Sequence, residues 1–87
     1  MTNEFLIRLK AYDGMKELLL KSYFTKEITE HLKMFNYMEK HEIPIYIPKE
    51  NDSYYPQYDG TEVFINSITF TFGGKEAIPC LDVWVNV

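Results

Sequence analysis

The chain has 87 residues, 46% of them hydrophobic and 16% aromatic, with a formal net charge of −4 and a single cysteine. That length supports one domain, 1–87, burying about 60–65% of the unfolded chain's surface, and the apolar content excludes a disordered chain. The lone cysteine excludes an internal disulfide framework and a cysteine-rich zinc site. The negative balance argues against direct nucleic-acid binding, which needs Lys and Arg to neutralise phosphates.

The opening Met1-Thr2-Asn3-Glu4 lacks the basic and then apolar regions of a secretory signal. No apolar run reaches the roughly 20 residues of a membrane-spanning helix. The expected setting is cytoplasmic, with no membrane partner. From Phe5 to Tyr12 two periodicities coexist. Phe5, Ile7, Leu9 and Ala11 alternate as in a strand, whereas Phe5, Leu6, Leu9 and Tyr12 fall on one helical face that Asn3 would cap. The helix is preferred here, broken at Asp13-Gly14 because Gly costs about 1 kcal/mol in a helix interior.

Met15 to His41 reads as helical. Leu20, Phe24, Ile28, Leu32, Phe35 and Met38 recur at intervals of three and four, either along one long helix or in two divided at Thr25. Pro44 stops it. Ile43 to Pro48 is extended, and its two prolines confine it to a sheet edge. Lys49 to Gln57 is a polar, aromatic loop, and Asp59-Gly60 is a tight turn. Thr61 onward reads as antiparallel sheet. Asn66-Ser67 is either a two-residue turn or a bulge in one long strand. Gly73-Gly74 is a turn, and Leu81, Val83, Val85 and Val87 alternate as a last strand. The expected fold is α+β in two layers, an N-terminal helix or helix pair on a C-terminal antiparallel sheet of three to four strands.

Charge is divided unevenly along the chain. Through Lys49 there are eight basic and seven acidic residues; beyond it, Glu50, Asp52, Asp59, Glu62, Glu76 and Asp82 are opposed only by Lys75. The same half holds Tyr54, Tyr55, Tyr58 and the single tryptophan, Trp84. Tyrosines provide broad contact area at little entropic cost. On the last strand Asp82, Trp84 and Asn86 should face away from the core, beside Ser67, Thr69 and Thr71. An outward tryptophan among such neighbours is the composition of an interface hot spot. The expected partner-binding residues are Glu50, Asp52, Tyr54, Tyr55, Tyr58, Asp59, Glu62, Asp82 and Trp84.

Chemistry finds no comparable support. Glu27 and His31 share a helical face, but zinc takes three or four ligands. The loop 50–62 does not have the spacing of a calcium-binding EF-hand. Gly73-Gly74-Lys75 lacks the frame of a phosphate loop, and Cys80 has no adjacent base. No enzyme activity, cofactor or metal is expected. The leading expectation is a small acidic interaction module that inhibits a nucleic-acid-binding protein by occupying its basic surface, its carboxylates and aromatics imitating phosphates and bases. In size and charge the chain resembles small acidic inhibitors carried by phages, anti-CRISPR proteins among them, a resemblance of composition that no motif carries. The alternatives are a ligand-binding or regulatory domain with a tyrosine-lined pocket, and a self-associating subunit such as a homodimer.

Overall fold

The computed structural model describes residues 4–71 and 78–87. Its elements are β1 (Phe5–Asp13), β2 (Lys16–Thr25), α1 (Ile28–Lys40), β3 (Ile45–Tyr46), a 3-10 turn (Pro56–Tyr58), β4 (Glu62–Thr71) and β5 (Cys80–Asn86). The strands form one mixed sheet in the order β2-β1-β5-β4-β3. The β1–β5 pair is parallel and the others are antiparallel.

The expected N-terminal helix or helix pair is therefore corrected to a hairpin followed by one helix, and the three- to four-stranded antiparallel sheet to a mixed sheet of five strands. The strand periodicity at Phe5–Tyr12 prevails because Asp13 pairs with Lys16 across a two-residue loop. Gly14 takes φ +64° at the first loop position, where a type II′ turn requires glycine. Asp13-Gly14 thus reverses a strand instead of interrupting a helix. Leu18 and Leu20 are buried in β2, whereas Phe24 is largely exposed, so the interval of four between Leu20 and Phe24 was not a buried stripe.

The helical stripe persists only from Ile28. Phe35 is buried, and Ile28, Leu32 and Met38 pack against the core. Thr25 lies at the end of β2, and its hydroxyl accepts a 3.1 Å hydrogen bond from the Glu27 N–H, just ahead of α1. The helix ends in a Schellman motif: the Glu42 N–H donates to the Glu39 carbonyl at 3.3 Å, and the Ile43 N–H to the Met38 carbonyl at 2.9 Å.

The core lies on one face of the sheet. It is built from Ile7, Leu9 and Ala11 of β1, Leu81, Val83 and Val85 of β5, and Val63 and Ile65 of β4. The shift between Ile65 and Ser67 identifies Asn66 as the bulge within one continuous β4. The Gly73-Gly74 turn lies outside the described residues. At the far edge, β3 has only two residues, as its flanking prolines Pro44 and Pro48 dictate.

Candidate functional site

Alternation along β1 and β5 puts one set of side chains on the sheet face opposite the core. Arg8 pairs with Asp82, and Lys10 with Trp84, across the parallel ladder. The Arg8 guanidinium donates two hydrogen bonds to the Asp82 carboxylate, at 2.6 and 2.8 Å. Lys10 adds ion pairs to Asp82 at 3.4 Å and to Glu17 at 3.0 Å. Asp82 is only 5% exposed, so its charge is held by these two cations. The Arg8 pKa is raised above its ordinary value, chiefly by the hydrogen bonds to Asp82.

On this base sits an aromatic stack. The Tyr12 and Trp84 rings lie 5.0 Å apart and within 8° of parallel, and the Lys10 ammonium stands 5.2 Å from the Trp84 ring centre. Tyr12 remains 59% exposed. Ser67 and Thr69 of β4 pair with Trp84 and Asp82. Trp84 thus faces away from the core among hydroxyls. A cleft of about 330 Å³ opens beside the stack, lined by Tyr12, Asn66, Ser67, Trp84, Asn86 and Val87 among others. Tyr12 was absent from the expected site because its place on a helical face hid the β1 parity that puts it next to Trp84.

The acidic loop is arranged differently. A bulge in β2 pairs Lys21 with Leu9 on the core side, leaving Lys21 only 6% exposed. The loop after β3 closes over its ammonium, which donates to the Ser53 hydroxyl and lies 3.3 Å from Asp59 and 3.7 Å from Glu50. Asp59 accepts from the Ser53 hydroxyl at 2.7 Å and from the Glu50 N–H at 3.4 Å. The Ser53 bond above all, against partial desolvation, holds the Asp59 pKa below its ordinary value, with the Glu50 N–H and Lys21 assisting. Asp59 and Gly60 form the centre of a type II turn, with Gly60 at φ +76° and the Thr61 N–H bonded to the Tyr58 carbonyl at 3.0 Å.

The expected site residues are thus dispersed. Tyr55 and Tyr58 pack against the core, and only Tyr54, 76% exposed, projects outward. Glu50, Asp59 and Asp82 are ion-paired to cations of the N-terminal hairpin. Glu62 accepts a 3.0 Å hydrogen bond from the Tyr46 hydroxyl, which raises the Tyr46 pKa. Asp52 is exposed and has no ion-pair partner among the described residues. Charge reversal at Asp59 would accordingly strike the fold as much as any binding surface.

Among the described residues, no three His, Cys, Asp or Glu side chains are placed to hold a metal. His31 lies between Tyr23 and Phe35, at ring distances of 5.9 and 6.2 Å, and its buried Nδ1 lacks a hydrogen-bond partner. The Cys80 thiol donates to the Ile78 carbonyl at 3.5 Å. No described helix is long and apolar enough to cross a membrane. Comparisons with protein-family models, curated proteins and solved structures find no match to this chain.

Proposed function

We propose that this protein is a small interaction module that docks on a partner protein through the sheet face opposite its core and inhibits it. The observation that carries this reading is the Tyr12–Trp84 stack. Large aromatic surface beside desolvated charge is how interface hot spots are composed. The ion-paired Lys10 stands over the Trp84 ring and Tyr12 stacks on that ring, an order present before any partner arrives, which lowers the entropic cost of binding. The net charge of −4 favours a partner with a basic surface, such as a cytoplasmic nucleic-acid-binding enzyme, and would accelerate encounter with it. The role of nucleic-acid mimic belongs to this proposal, but the loop 50–59 contributes little to it, since Glu50 and Asp59 already face Lys21.

The two alternatives have weaker support. A tyrosine-lined pocket would need Tyr54, Tyr55 and Tyr58 to converge, whereas two of them face the core. Self-association through a sheet edge meets a two-residue strand at β3, and a bulge with an inward lysine at β2. Both are devices that discourage strand pairing.

The test is capture from lysate of the source cell with steps of increasing salt, the wild-type chain beside Trp84→Ala. One protein held by the wild type, released by salt and held about 30-fold more weakly by the variant would support the reading; that ratio corresponds to about 2 kcal/mol. Equal retention by a folded Trp84→Ala would remove the stack from the mechanism.

A further inference from the structure

We propose that the partner inserts a basic segment into the cleft between the end of α1 and β4, where Glu39 and Glu42 receive its Lys or Arg head groups. This rests on the interaction reading above and supplies the place where the partner's positive charge is neutralised. The cleft has a volume of about 470 Å³ and is lined by Met38, Glu39, Glu42, Phe64, Ile65 and Asn86. Three of these side chains are apolar. Glu39 and Glu42 have no ion-pair or side-chain hydrogen-bond partner among the described residues. Glu50, Asp59 and Asp82, by contrast, already face lysine or arginine. Lys and Arg carry an aliphatic stem below a charged head. Such a side chain can lay its stem on Met38 and Phe64 and its head against the two carboxylates.

Asn86 joins this cleft to the aromatic stack. It lines both the α1–β4 cleft and the cleft that holds Tyr12 and Trp84. One partner surface can therefore cover the stack and place a basic segment around the corner at Glu39 and Glu42. That continuity favours a protein segment, which can span both clefts and stack aromatic side chains on the rings, over a free polyamine, which brings only methylene stems and ammonium groups.

The probe is a short peptide alternating leucine and lysine, with its glutamate counterpart as control, titrated into the ¹⁵N-labelled chain. The expected result is movement of the amide signals of Met38, Glu39, Glu42, Phe64, Ile65 and Asn86 with the lysine peptide only, weakening as sodium chloride is added. The double variant Glu39→Gln/Glu42→Gly should bind that peptide at least tenfold more weakly. It should stay folded by circular dichroism, because Glu42 sits at φ 54°, a conformation that glycine adopts freely. Shifts confined to other residues, no shifts at all, or undiminished affinity in the folded double variant would overturn the cleft assignment. Capture of the natural partner separates the two proposals. A partner lost by Trp84→Ala but retained by the double variant overturns the cleft alone. A partner retained by both variants overturns the stack reading as well.

Discussion

Glu42 stands where a Schellman motif ordinarily has glycine. Its φ of 54° costs an L-residue about 1 kcal/mol, because Cβ crowds the neighbouring carbonyl. Glu42→Gly should therefore raise the thermal midpoint, by less than the ~4–8 °C that ~1 kcal/mol gives a domain of this size, because glycine's extra freedom in the unfolded chain opposes the relief. A lower midpoint by calorimetry would show that the strain at Glu42 is smaller than the entropy glycine gains in the unfolded chain. Nothing local to Glu42 announced this conformation in the sequence: the motif is defined by hydrogen bonds back to Met38 and Glu39, and Pro44 signalled only that the helix had to stop. Asp82 teaches a related lesson. Its outward parity was legible, but its burial depends on Arg8 and Lys10, more than seventy residues away in the chain.

At the scale of elements, the loop 48–61 behaves as a strap fastened to β2. Lys21 holds it through Ser53, Asp59 and Glu50, and Ile47, Tyr55 and Tyr58 seal its apolar side. Because the folded Asp59 pKa lies below its ordinary value of 3.8, this carboxylate contributes stability that is complete above that value and lost as pH falls through the folded one. Thermal midpoints measured from pH 7 to 2 should decline below about pH 4. The decline should be shallower for Asp59→Asn, which starts from a lower midpoint. Parallel curves for the two proteins would dissociate Asp59 from the acid response. The turn at Asp59-Gly60 was readable from its residues, since type II turns need glycine or asparagine at the third position. The lysine that fastens the strap was not, because a bulge reversed the parity of β2 and turned Lys21 inward.

In the molecule as a whole, β5 is the central strand, joined to β1 on one side and β4 on the other. Leu81 and Val83 are fully buried. Truncation before Cys80 should therefore abolish the folded state, seen as loss of dispersed amide signals, whereas removing Val87, 47% exposed, should change the thermal midpoint little. A folded truncation product would mean that the hairpin, α1 and β4 close a core without β5. The same long-range pairing dissolves the charge division along the sequence. Arg8 and Lys10 of the hairpin face Asp82, and Lys21 faces Glu50 and Asp59, so three carboxylates of the acidic half are matched when the chain closes.

The sequence by itself determined the helical stripe over Ile28 to Met38 though not the helix's start, the proline-limited edge at β3, the tight turn at Asp59-Gly60 and the outward parity of Trp84, all products of local periodicity or backbone restriction. Only the tertiary structure decided that Phe5–Asp13 and Lys16–Thr25 are strands. Their apolar residues suit either a helical or a strand period, and the pairing of β1 with β5 across the length of the chain, with β2 added beside β1, resolves the choice. It also decided which carboxylates remain unpaired, because a charge's partner is a matter of distance in space, and the hairpin brings its cations to residues far along the chain.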